Sequence, residues 1–169
     1  MERGPKEIKI DEEDMGLAEG RWSAQERTMY LAPWVLDEEE DESEAGHSGY
    51  VIAHEMGHSI MEHGSPSAPP TEKDLQSEFE AALWAAARRG SIIYVLDDID
   101  QIMEFWKPAG LDEADTSRVF ARAIDAVNRR GRASRYRLPK RKLLNWFKLS
   151  NEDAPQSYWD LGGFFARLD

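Results

Sequence analysis

From Ser48 to Gly64 the chain reads SGYVIAHEMGHSIMEHG, and no other stretch restricts the possible folds as tightly. Ser48 can cap a helix and Gly64 stands where the residue after a C-cap belongs, so the pattern predicts a helix over Gly49 to His63. His54 and His58 lie four residues apart and project from one side of that helix, one turn apart, where two imidazole nitrogens can meet on a single cation. Glu55 points to the flank of the pair. Such a site needs a third ligand, so another part of the chain must be brought to this face.

The sequence contains no cysteine, which leaves His, Asp and Glu as the strong ligands available. A metzincin pattern would place glycine seven and histidine ten residues after His54, but Met61 and Gly64 stand there. His63 comes one residue early for that pattern and reads as a histidine at a helix C-terminus, favoured by the helix dipole. His47 reads as a loop residue. After the chain-breaking SPSAPP of Ser65 to Pro70, Thr71-Glu-Lys-Asp74 opens a second helix that runs to near Gly90. Glu78 shares its stripe with Ala81, Ala82 and Ala85, whereas Glu80 shares its own with Leu83 and Trp84. Small side chains there, together with Ala53 and Gly57 beside the histidines, let two backbones approach closely enough for a short carboxylate to reach a zinc ion at about 2 Å. Glu78 is therefore the candidate third ligand, and Glu80 is left to its surroundings or the surface.

The remaining pattern is that of an α+β protein. Lys6 to Ile10 alternates weakly, and Gly20 to Pro33 reads as two short strands around a polar turn near Ala24 to Glu26, which predicts a small N-terminal antiparallel sheet. Asp37 to Glu44 packs seven carboxylates into eight residues and reads as a solvated loop. Beyond Gly90, apolar spacing predicts helices from Ser91 to about Pro108, from Ala114 to Arg130 and from Pro139 to Leu149, with the aromatic SYWDLGGFFARLD packing on the helical core. A length of 169 residues with 41% hydrophobic content suffices for one core.

A net charge of −12 sets the chain against phosphate backbones and anionic membranes, which excludes general nucleic-acid binding. The local exception is Arg129 to Lys142, with eight basic residues in fourteen, which a nucleic acid or the acidic loop could meet. No apolar run approaches the roughly 20 residues that span a bilayer, and the N-terminus does not look like a signal peptide. A cytoplasmic protein without a membrane partner is expected.

Two motifs, Ala53-His-Glu-Met-Gly-His58 and Glu78-Phe-Glu80-Ala-Ala-Leu-Trp84-Ala-Ala86, together resemble the ImmA/IrrE-like zinc metallopeptidases over about residues 5–90. Thr28-Met-Tyr-Leu-Ala, ahead of the motif helix, is similar to the N-terminal strands of that family. The chain departs from the family at Ala82, where asparagine is usual, at Ala87-Arg-Arg-Gly90, where Leu-Met-Pro closes the helix, and at Glu62, where histidine is often found. The resemblance implies a zincin-like metallopeptidase domain, placed here at residues 1–110, with the helices of 111–169 packed on it as an extension. It further implies zinc held by His54, His58 and Glu78, with Glu55 as general base, and a protein substrate, in the family often a helix-turn-helix repressor. Tyr50, one turn before His54, and Tyr30, on the hairpin, are candidates for stabilising the transition state. The competing expectation is a catalytically silent zincin-like protein that holds a protein or nucleic-acid partner through residues 129–142 and the aromatic C-terminus.

Overall fold

The polar turn at Ala24 to Arg27 folds Gly20–Ser23 (β2) back onto Thr28–Leu31 (β3) as an antiparallel hairpin. Glu7–Ile10 (β1) joins the other side of β3 in parallel, with Ile8 opposite Met29 and Ile10 opposite Leu31. The open sheet therefore has the order β1-β3-β2 and is mixed, where a wholly antiparallel one was expected. Because β3 inserts between β1 and β2, β1 runs alongside β3 and never pairs with the strand that follows it in sequence. This computed structural model describes residues 4–11, 19–36, 42–89, 98–99, 101–103, 110–130 and 137–149.

A 3-10 turn, Pro33–Leu36, leads toward the helices, which are Glu42–Ile60 (α1), Glu72–Arg89 (α2), Glu113–Arg130 (α3) and Lys140–Leu149 (α4). The architecture is α+β, as the sequence pattern predicts. The described residues of the helix expected between Ser91 and Pro108, 98–99 and 101–103, are helical, and Ile99 and Ile102 are buried. Its remaining residues, Asp37 to Asp41 of the acidic run, 131–136 of the basic segment and the aromatic C-terminus lie outside the described residues.

Both ends of α1 differ from expectation. Its first turn takes in Glu42 to Glu44, the end of the acidic run. Ser48 consequently lies inside the helix. At the other end the residue with positive φ is Glu62 (φ 60°), not Gly64. The amide of His63 donates to the His58 carbonyl at 3.0 Å, the long-range bond of a Schellman closure. A left-handed turn at Glu62 thus folds His63 back toward the helix it has just left.

The start of α2 follows the predicted cap. Asp74 accepts from the Thr71 amide at 2.7 Å, the Thr71 hydroxyl at 2.8 Å and the Ser67 amide at 3.1 Å. These bonds set the phase of the helix, and its apolar face completes the alignment. Phe79 is fully buried and meets Phe120 of α3 edge-on at 5.2 Å and Phe147 of α4 at 5.9 Å, while Phe120 and Phe147 stack at 4.4 Å. Met29 and Leu31 of β3 pack with Val35 and with Val51 of α1, so the sheet lies on the opposite side of α1 from this aromatic cluster.

Helices α1 and α2 come closest at Gly57. A Cβ placed there would stand 2.9 Å from the Ala81 carbonyl oxygen and 3.0 Å from its Cα, both of them backbone atoms. By 100° per residue, Glu78 and Glu80 lie to either side of Ala81 on α2, about 60° and 100° from it. The alanine face of α2 is buried as predicted, with Ala81, Ala82 and Ala85 all inaccessible.

Gly57→Ala should gain up to about 1 kcal/mol of helix propensity and lose about 1–3 kcal/mol to overpacking that backbone cannot relieve. The expected net result is a lower midpoint in denaturant unfolding. An unchanged or raised midpoint would mean that the two helices can part at no cost.

Candidate metal centre

His54, His58 and Glu78 converge on one point between α1 and α2, each offering one ligand atom within 4.8 Å of the other two. His54 Nε2 lies 3.2 Å from His58 Nε2 and 3.3 Å from Glu78 Oε2, and His58 Nε2 lies 3.4 Å from Glu78 Oε1. A tetrahedral zinc ion with bonds of about 2.0–2.1 Å separates its ligand atoms by about 3.3–3.4 Å. The two imidazole nitrogens stand at that spacing, and the Glu78 carboxylate meets each of them at it through a different oxygen, so the donor set of two neutral-capable imidazoles and a carboxylate suits zinc. Both histidines are buried, while Glu78 keeps 34% of its side-chain surface exposed.

A second layer surrounds these residues, and sequence reasoning missed most of it. Asp98 Oδ2 lies 2.7 Å from His54 Nδ1, bent away from the hydrogen-bond direction, and it accepts the Tyr50 hydroxyl at 2.5 Å. The signal for Asp98 was an acidic residue beside an apolar helical stripe, at Leu96-Asp97-Asp98-Ile99. His63, set aside from its register, is buried and joins the site: its Nδ1 lies 2.8 Å from His58 Nδ1 and its Nε2 lies 2.6 Å from Glu80 Oε2. Glu80 also accepts from Gln76 at 2.9 Å. The backbone carbonyl of His63 takes the Trp22 indole N–H at 3.2 Å, which ties β2 to the end of α1.

Glu55 is buried next along α1 from His54, directly beneath β2. A Cβ on Gly20 would stand 2.7 Å from Glu55 Cγ, so the strand leaves room for this carboxyl only because residue 20 has no side chain. Glu55 lines a cleft of about 200 Å³ together with Gly20, Trp22, His58 and Glu78. A larger groove of about 690 Å³ lies instead between α2 and α3, lined by His63, Glu80 and the cations Arg122, Arg129 and Arg130. The cleft, although smaller, is the one lined by two of the three candidate ligands, His58 and Glu78, and by Glu55. Arg130 is held by the Met61 carbonyl beside Glu62, and Arg122 pairs with Glu72, so two cations of the groove have partners within the fold.

Neither tyrosine nominated for the transition state faces the cleft. The Tyr50 hydroxyl is spent on Asp98, behind His54. Strand alternation turns Tyr30 to the face opposite Met29 and Leu31, where its hydroxyl donates to Glu26 at 2.5 Å and Arg21 stacks 4.7 Å from its ring.

The charges are strongly coupled. Burial works against a charged His54, but the Asp98 and Glu78 carboxylates outweigh it and hold the imidazole well above its ordinary value of 6.5. Burial likewise opposes an ionised Glu78, and hydrogen bonds and charge from His54 and His58 pull its carboxyl far below the usual range. Burial raises Glu55 and lowers His63, the latter against the pull of Glu80. Without a cation, a protonated His54 balances the carboxylates around it.

No family model, curated protein or solved structure matches the chain. Among the described residues no helix is long and apolar enough to cross a membrane.

A divalent cation entering the cluster must displace the His54 proton. Apparent zinc affinity should rise with pH, by up to tenfold per unit, until His54 is neutral on its own, and calorimetry in buffers of different ionisation heat should register the released proton. The raised value also stabilises the metal-free fold in full below pH 6.5, and that contribution is lost as pH rises through the folded value. The unfolding midpoint of the metal-free protein should accordingly fall on the alkaline side, and less so with zinc present.

Proposed function

We propose that this chain is a zinc-dependent metallopeptidase of the ImmA/IrrE-like kind that hydrolyses a peptide bond in a partner protein. The observation that carries this reading is the convergence of His54, His58 and Glu78, whose nitrogens and two carboxylate oxygens meet at 3.2–3.4 Å, with Glu55 buried at its flank. Zinc bound there supplies Lewis acidity, which polarises a carbonyl and brings the pKa of water down toward roughly 7.

The chain's own residues do the rest. Glu55 is the general base: enclosed by burial under Gly20 and raised above the ordinary carboxylate value, it takes a proton from water and returns it to the leaving amine. Its elevated pKa suits both halves of that exchange better than an exposed glutamate would. Among the described residues strand β2 is an edge of the sheet and borders the cleft, so an extended segment of substrate can pair with it and present a peptide bond to the site. Trp22 fixes β2 in place through the His63 carbonyl. A helix-turn-helix repressor is the substrate proposed by analogy with the family, and the cytoplasm is the proposed location.

Glu55→Gln keeps the ligands and removes the base. It should retain one zinc per chain by metal analysis while losing cleavage of the partner by at least about a hundredfold. Wild-type protein that binds zinc but cleaves no better than this variant would favour a silent binding protein. Gly20→Ala gives a second test, since the added methyl would stand 2.7 Å from Glu55 Cγ and must displace that buried side chain. Cleavage should drop while metal analysis still finds one zinc per chain; undiminished cleavage would remove Glu55 from the role of base.

A further inference from the structure

A neutral imidazole has one N–H and one bare nitrogen, so the protons along a row of histidines are ordered by whatever stands at its end. In this protein the row ends on Glu80. An ionised carboxylate only accepts hydrogen bonds, and Glu80 Oε2 lies 2.6 Å from His63 Nε2, so that nitrogen carries the proton. Neutral His63 is left with a bare Nδ1, which meets His58 Nδ1 at 2.8 Å. The proton between the two rings must then belong to His58. With Nδ1 protonated, the lone pair of His58 stands on Nε2, the atom that points at His54 and Glu78.

We propose that His63 and Glu80 are positioning residues that fix the tautomer and ring orientation of His58 for binding a divalent cation. This rests on the metal-centre reading given above. The two ligand histidines are thereby supported differently: His54 has Asp98 directly behind it, whereas His58 reaches its carboxylate through a second imidazole. His63 is well placed for this, because its amide is bonded to the His58 carbonyl at 3.0 Å and its own carbonyl to Trp22 at 3.2 Å. Its ring therefore has little freedom to leave. Outer partners of metal-bound histidines typically change affinity by 10–100-fold when removed, and the same scale is expected here.

Three substitutions of His63 in the full chain separate this role from simple packing. Asn places an acceptor near the position of Nδ1, Gln places its amide near Nε2 without one at Nδ1, and Leu fills the space with neither. Cobalt(II) titration followed by visible absorption, with zinc competition, gives the affinity, and the imidazole ¹⁵N resonances of the zinc-loaded protein report the His58 tautomer. His63→Leu and His63→Gln should bind about 10–100-fold more weakly, with a changed cobalt spectrum, while His63→Asn should stay within about threefold of wild type and keep the Nδ1–H form of His58. Should Leu fail to fold, the contrast between Gln and Asn decides the matter alone. Equal affinity across all variants, or Asn as weak as Gln, overturns the relay while leaving the metal centre standing. A wild-type protein that binds neither cobalt nor zinc overturns the metal centre itself, and the relay with it.

Discussion

The approach of Gly57 to Ala81 governs the rest of the site. Carboxylate and imidazole side chains are short, and two helices at ordinary separation could not bring Glu78 within 3.4 Å of both histidines. Where the backbones nearly touch, the residues flanking the contact line are the ones that meet. On α1 these are His54 and His58, and on α2 they are Glu78 on one side and Glu80 on the other. One close contact between small residues therefore serves the central ligand group and its outer support together. The buried aromatic cluster of Phe79, Phe120 and Phe147 holds α2 in this rotation from the far side.

The site gathers more charge than an interior would normally hold. His54, His58, Glu55, His63 and Glu80 are all buried, with Asp98 and Glu78 against them. Such a group persists only when nearly every polar atom has a partner, because an isolated buried charge costs several kcal/mol. Here many partners are mutual: Glu78 faces His54 and His58, Glu80 faces His63, and the histidines face one another.

Much of this was legible in the sequence, and what was not has identifiable physical causes. The i, i+4 spacing of His54 and His58 and the alanine stripe beside Glu78 are local properties of helices, so they could be read without knowing the fold. The same holds for the hairpin, for the Asp74 cap and for the boundaries of α3 and α4. The mixed sheet could not be read, because which strand lies beside β3 is decided by non-local pairing. Asp98 reaches His54 from 44 positions downstream through tertiary packing. His63, read as a helix-end histidine and not a ligand, lies outside the triad, but its contact with His58 was not legible because the left-handed residue Glu62 turns it back. For Tyr30 the warning was available: alternation with the buried Met29 and Leu31 already placed it on the outer face.

The cap at Asp74 has a consequence for how the chain tolerates changes of length. Residues added between Gly64 and Ser67 lengthen an exposed surface connection ahead of every residue bonded to Asp74, and the phase of α2, set afresh by Thr71 and Asp74, is preserved. A single residue inserted between Asp74 and Glu78 would instead turn everything beyond it by about 100°, swinging both glutamates off the contact line and Phe79 out of its cluster. The interval of 20 residues between His58 and Glu78 is thus a sum of two parts with different rules, an elastic one and a rigid one. Homologous chains sharing this site should vary freely in the first part and not at all in the second.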